Sequence, residues 1–416
     1  MNVDRDRLRE DIETNARFGA EDVEEGRGRT TLTATEADRE ARERFLDRLR
    51  DAGLDVRIDG IGNVAGRWTP PSADPDAAPV AAGSHLDSVP MGGIFDGPLG
   101  TYAALEAVRA MQEGGLEPAR PVDVVSWTEE EGVRFGTGLL GSSVATGERP
   151  VGAALDLTDD EGNRLGDELD AIGFRGDDEI DPSSWAAWFE LHVEQNTVLE
   201  EAGVPVGVVD AISGISNCRV RFAGEADHAG GTPMYDRRDA LVAASEFIVA
   251  NERAAREAVA TGSEGAVSTV GKLDVSPNAN NVVPGEVELT VDVRDVDRAT
   301  MDRMVERGRE AAARIARDRP VEATFERYRL TEPSDMAERC VTAALDAADR
   351  FGIEAKRMQS AALHDTANLA GVTDTAMLFA PSRDGISHNP LEWTDWDDCA
   401  TAARVMAGAM AALATE

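Results

Sequence analysis

Three strand-like apolar runs in this chain each stop abruptly at polar residues capable of chemistry. "PVAAGSH" (79–85) ends at a histidine and opens the glycine-rich loop "LDSVPMGGIFDGPLG". "PVDVVSW" (121–127) runs into "TEEEG", and "WAAWFELHV" (185–193) carries His192 near its end, with Glu194 and Gln195 just beyond. Between the first two runs lies "TYAALEAVRAMQ", with Leu105, Val108 and Met111 at helical spacing. Strand, loop, helix and strand in this order build an open α/β sheet. Such sheets take their ligands at the carboxyl ends of the strands, so the polar residues at the three ends can meet in one cleft.

The pattern changes near residue 212. "NCRVRFAGEA" reads as a strand, "DALVAASEFIVANERAAREAVA" as a long amphipathic helix, and "AVSTVGKLDVS" and "EVELTVDVRDV" as two strands. "ATMDRMVERGREAAARIARDR" is a second helix and "VEATFERYRL" a closing strand. That βαββαβ order is the ferredoxin-like arrangement. At 416 residues the chain is too long for one ordinary core. The expected layout is a discontinuous α/β domain over residues 1–211 and 327–416, carrying an inserted ferredoxin-like domain over 212–326. Alternating helix and strand resume beyond the insert with "DMAERCVTAALDAADRFG", "TDTAMLFA" and "DDCATAARVMAGAMAALA".

Charge restricts the partners. The chain holds 79 acidic and 42 basic residues, a formal net charge of −37, and Lys272 and Lys356 are its only lysines. That balance repels nucleic acid and anionic membranes. The acid is spread along the whole chain, as in proteins from salt-loving organisms, where molar salt shortens the Debye length to about 3 Å and screens self-repulsion. There is no 18-residue apolar run and no apolar leader, so a cytoplasmic protein is expected. Cys218, Cys340 and Cys399 are too few and too scattered for a disulfide framework or a metal cluster.

All five histidines stand in polar, glycine-bearing or strand-end contexts: His85 in "GSHLDS", His192 in "ELHVEQ", His228 in "ADHAGGTPM", His364 in "LHDT" and His388 in "GISHNP". Imidazole and carboxylate together suit a borderline divalent metal such as zinc. Two neighbouring ions need a bridging carboxylate, and Asp96, flanked by glycines in "GGIFDGPLG", is the best placed. Asp87, two residues beyond His85, can accept that imidazole's second N–H; capping a turn is its plainer role. In "TEEEG" one glutamate can bind metal while another stays free as an acid/base group; a solvated turn is the plainer reading. Arg294, late in a strand, suits the grip of a carboxylate, although a strand arginine is more often an edge guard. Asn281 lies in a Pro/Gly turn.

Together "GSHLDSVPMGGIFDGPLG", "EEEGVRF", "ELHVEQ", "DHAGGTPM", "NNVVPGEVELTVDVRD", "LHDT" and "SHNP" resemble, in order and over most of the chain, the zinc-dependent amidohydrolases. These include N-carbamoyl-L-amino-acid hydrolase, allantoate amidohydrolase and β-ureidopropionase, within the aminoacylase/carboxypeptidase superfamily. The resemblance implies two divalent ions (zinc, or manganese, cobalt or nickel). His85, Asp96 and His192 would hold one; Asp96, Glu131 and His388 the other. It makes Glu130 the general acid/base, Asp87 the orienter of His85, and Gln195, Asn281, Arg294 and His364 contacts to a small anionic substrate. His228 would steady the oxyanion in a partner subunit's site, which implies a homodimer through the inserted lid. Histidine at 192 separates the carbamoyl and ureido branch from the peptidases and aminoacylases, which place a carboxylate there. The alternatives are an aminoacylase or metallopeptidase of the same superfamily, opposed by His192, and an inactive metal- or ligand-binding protein, opposed by an intact Glu130. Two positions depart from the family pattern: Asn196 stands where glycine usually follows "EQ", and "ALHDT" where "AGHDA" is usual.

Overall fold

The computed structural model describes all 416 residues and divides into two units. One comprises residues 1–210, 336–358 and 364–416, the other residues 211–335 and 359–363. Seven of the nine strands of the large sheet are β1 (Asp55–Ile58), β2 (Val64–Trp68), β3 (Val80–His85), β4 (Val122–Trp127), β5 (Ala187–Val193), β6 (Val206–Ile212) and β11 (Thr375–Ala380). Their order is β1-β2-β4-β3-β5-β11-β6. The central four, β4-β3-β5-β11, run parallel, and antiparallel pairs flank them.

Every residue of those four parallel strands is buried. Parallel strands are covered on both faces, which is why their sequences are apolar runs rather than alternations. The helix Pro98–Glu113 crosses from β3 to β4 and packs on β3, β5 and the C-terminal helix Trp396–Ala414. Trp127, Trp185 and Trp188 fill a core at this sheet, the last two stacked with ring centroids 5.5 Å apart. Gly83 interrupts β3 for a steric reason: a Cβ there would stand 1.9 Å from the Val125 carbonyl oxygen. No helix is long and apolar enough to cross a membrane.

The second unit has β7 (Gly214–Ala223), β8 (Val267–Ser276), β9 (Glu286–Asp295) and β10 (Glu322–Thr331) in an antiparallel sheet ordered β10-β7-β9-β8. Its helices Ala240–Ala260 and Arg298–Asp318 start where Asp239 and Asp297 accept two backbone N–H groups each. β9 alternates buried and half-buried residues, and Phe222, Phe247, Leu289, Met301 and Ile315 form the core beneath it. The expected end at residue 326 falls inside β10, whose ladder to β7 continues to Thr331. The β7 strand that it pairs with belongs to the second unit, and that unit runs on to Asp335.

Gly83→Ala is expected to destabilise the protein by about 1–3 kcal/mol or more through overpacking against β4. A thermal melt coincident with the wild type would refute this account of Gly83.

Candidate metal centre

The four parallel strands deliver their carboxyl ends to one place. β3 ends at His85, and its loop returns Asp96 just ahead of the helix Pro98–Glu113. Gly97, at φ +81, makes that return possible, since a Cβ would lie 2.6 Å from the His85 ring. β4 leads through Glu129 to Glu130 and Glu131, β5 supplies His192, and the loop beyond β11 supplies His388. Glu129, Gln195 and His388 all hold positive φ (55°, 58° and 54°), backbone strain of the kind concentrated at functional sites.

Asp96 lies at the centre. Its Oδ1 is 3.5 Å from His85 Nε2 and 3.3 Å from His192 Nε2. Its Oδ2 is 3.4 Å from His388 Nε2, which in turn is 3.5 Å from Glu131 Oε2. The two oxygens of one carboxylate therefore face two different sets of nitrogens. His85 Nδ1 lies 3.1 Å from the Asp87 carbonyl and His192 Nδ1 3.0 Å from the Val193 carbonyl. Those contacts suit N–H donors at Nδ1 and leave each Nε2 a lone pair aimed at the centre.

The electrostatics follow from burial among like and unlike charges. Burial pushes the Asp96 carboxyl up, but the imidazoles of His192, His388 and His85 outweigh it and hold Asp96 well below the usual range. Burial and the neighbouring Asp96 raise Glu131 to about 7. Burial, helped by Glu131, Asp365 and Asp87 against the opposing His85, holds Glu130 well above its ordinary value. The contact with Asp96 raises His388 to about 9.

The residues fit a divalent metal. Ligand atoms of His85, Asp96 and His192 lie within 4.8 Å of one another, and so do those of Asp96, Glu131 and His388. His85 Nε2 and Glu131 Oε1 are buried without a hydrogen-bond partner. Buried donors and acceptors are normally paired, and a cation satisfies both of these.

Other expected site residues behave differently. The Asp87 carboxylate is 3.6 Å from His85 Nδ1, beyond hydrogen-bond reach; it accepts instead from the backbone N–H groups of Glu130 (3.3 Å) and Glu131 (3.2 Å). Asp87 thus touches His85 through its main-chain carbonyl and the glutamates through its side chain. Gln195 Nε2 donates to Asp96 Oδ2 at 2.9 Å. His364 is buried edge-on to His192, ring centroids 4.6 Å apart, and burial lowers its pKa. In the second unit, Asn281 and His228 are exposed, and His228 Nδ1 accepts from Gly230 and Gly231. Arg294 is held by Asp292 and donates to the Ala361 carbonyl. Three further groups around the centre were not legible as such in the sequence: Arg29 and Glu392, both buried, and Ser387, half-buried. Only the proximity of the last two to His388 hinted at them.

Residues 81–412 match the peptidase family M20/M25/M40. The chain is 40% identical over 383 residues to an N-carbamoyl-L-amino acid amidohydrolase of Geobacillus stearothermophilus, covering 91% of this chain and 92% of that protein. It is 33% identical over 422 residues to a ureidoglycolate hydrolase of Oryza sativa, covering 100% of this chain and 86% of that one. The crystal structure of a hydantoinase/carbamoylase family amidase from Burkholderia multivorans superposes with a TM-score of 0.94 at 37% identity, covering 100% of this chain and 99% of that one. The chain belongs to the M20/M25/M40 family. It is a hydrolytic enzyme.

Metal ligation requires a neutral His388 and an ionised Glu131, whereas near pH 7 the first is protonated and the second half protonated. Metal uptake at that pH should release protons, and affinity should rise as pH increases above 7. Calorimetry in buffers of different ionisation enthalpy measures the release; uptake with no net proton exchange would contradict the assignment.

Proposed function

We propose that this enzyme is an amidohydrolase that cleaves linear, non-peptide C–N bonds, acting on the carbamoyl or ureido group of an N-carbamoyl-L-amino acid or of a ureido acid such as allantoate or β-ureidopropionate. Asp96 carries the reading: its two oxygens face separate imidazole sets, as a carboxylate shared by two cations must. The names of the relatives at 40% and 33% identity support the substrate class. His192, where the peptidase branch carries a carboxylate, supports the carbamoyl branch.

His85, Asp96 and His192 would hold one divalent cation, and Asp96, Glu131 and His388 a second; the imidazole and carboxylate donors suit zinc, manganese, cobalt or nickel. Bound there, such cations supply Lewis acidity at the substrate carbonyl and make water more acidic. Glu130 then takes the proton of the attacking water and passes it to the departing nitrogen as the C–N bond breaks. Its raised pKa suits both halves of that transfer. Asp87 holds Glu130 and Glu131 in place through their backbone N–H groups. Gln195, Asn281, Arg294 and His364 are assigned to the substrate, Arg294 to its carboxylate, and His228 to the oxyanion.

The second unit is assigned as a ferredoxin-like lid through which the chain forms a homodimer. Its edge strand β8 is mostly exposed along its length, with Val267 and Leu273 open to solvent, and an unpaired edge of this kind favours pairing with another strand. The three cysteines are buried free thiols, in keeping with a reducing cytoplasm. The charge of −37 is read as adaptation to high salt.

Ammonia release from N-carbamoyl-L-amino acids, allantoate and β-ureidopropionate, with release of free amino acid from N-acetyl amino acids and dipeptides, tests the reaction. Carbamoyl or ureido compounds alone should react, and cleavage of dipeptides alone would overturn the reading. Glu130→Gln should retain its metal and lose about 10²–10⁴-fold in kcat; full activity would remove Glu130 from its role. In molar KCl, sedimentation should give twice the 44.4 kDa chain mass, and the circular dichroism of the fold should decay on dialysis into dilute buffer. A monomer in salt argues against the dimer, and a fold unchanged in dilute buffer argues against the adaptation.

A further inference from the structure

Arg29 is completely buried. Burying a guanidinium costs several kcal/mol unless its donors are satisfied, and here backbone carbonyls rather than a carboxylate do so. Nε donates to Gly93 at 3.1 Å, Nη1 to Leu86 at 3.0 Å, and Nη2 to Asp87 at 3.4 Å and Asp96 at 3.3 Å. One planar fork thus ties the segment after β3 to the segment carrying Asp96. The main chain of Arg29 adds a two-way bridge to Gly92, 2.9 Å in each direction.

Glu392, also buried, takes the other side of that segment. Its Oε1 accepts the backbone N–H of Phe95 at 2.9 Å and of Asp96 at 3.0 Å. Its Oε2 is 2.9 Å from Ser387 Oγ, which stands 2.7 Å from Asp96 Oδ2. The backbone around Asp96 therefore has its carbonyls held by a cation and its N–H groups by an anion. The fit is close, since a Cβ on Gly93 would lie 2.2 Å from Glu392 Oε1.

We propose that Arg29 and Glu392 form a charge clamp that sets the position of the Asp96 carboxylate and thereby the affinity of the centre for divalent metal. Both are positioning residues that act through Asp96. Arg29 also places its guanidinium beneath a loop carrying Asp87 and Asp96. Lysine cannot replace it, because one ammonium group cannot span carbonyls on residues 86, 87, 93 and 96 as the fork does.

This inference rests on the metal-centre reading, and its test separates the two. Full-length wild type, Arg29→Met, Arg29→Lys and Glu392→Gln are stripped with chelator and titrated with Co²⁺, followed by visible absorption. Wild type should bind; no binding would remove the metal reading itself. The folded variants should bind Co²⁺ about 10–100-fold more weakly. At saturation they should show shifted absorption bands, because Asp96 no longer holds its angle to the ion; a residue important only for folding would leave those bands unchanged. Lysine should fail to rescue. Wild-type affinity and bands in folded Arg29→Met would overturn the clamp. If Arg29→Met does not fold, the same result in Glu392→Gln overturns it.

Discussion

The first unit is organised around one buried carboxylate. Asp96 faces imidazoles on both sides, His85 and His192 at one oxygen and His388 at the other. A carboxylate buried alone would take up a proton rather than keep its charge. Here the imidazoles overcome the cost of burial and keep it ionised. Every element carrying those groups must therefore be placed to within a few tenths of an ångström, and only a rigid scaffold does that.

The parallel sheet is that scaffold. Four adjacent strands pointing the same way bring four carboxyl ends together, and each contributes differently: a histidine at the end of β3, glutamates after β4, a histidine near the end of β5, and a loop with His388 after β11. Burial along the strands keeps their frame fixed, whereas the turns beyond them hold left-handed backbone at Glu129, Gln195 and His388. The strain thus lies in the turns that aim side chains, and the four parallel strands are free of it. Asp87 links two of these ends, its carbonyl touching His85 and its carboxylate collecting the N–H groups of Glu130 and Glu131.

Much of this was legible in the sequence, because parallel strands write themselves as apolar runs and their ends as polar residues. The groups at 85, 96, 131, 192 and 388 that cluster at the centre could be picked out because histidine is rare in this chain and aspartate among glycines is unusual. What the sequence hid was direction. Asp87 sits two residues from His85, a spacing that suggests a side-chain contact, yet the backbone turns so that the carboxylate faces the glutamates. Arg29 is one arginine among dozens, and nothing in its neighbours signals that a fully buried guanidinium would end on four carbonyls. The expected boundary at residue 326 lies inside the strand Glu322–Thr331, which carries on past it with no turn residue to mark an end.

The identity of residue 192 has an electrostatic logic of its own. Asp87, Asp96, Glu130 and Glu131 already crowd the centre, and His364 is buried against His192 without a partner for its Nε2. A carboxylate at 192 would add one more negative charge to that group and offset more of the charge of any bound cations. A neutral imidazole with its Nδ1 directed at the Val193 carbonyl ligates without adding charge. In the proposed reaction the centre would then keep more positive potential for a substrate that brings its own carboxylate, and for the negative charge that would grow on its carbonyl oxygen as water adds. An enzyme for anionic carbamoyl or ureido acids gains from histidine here on both counts, at the ground state and at the transition state.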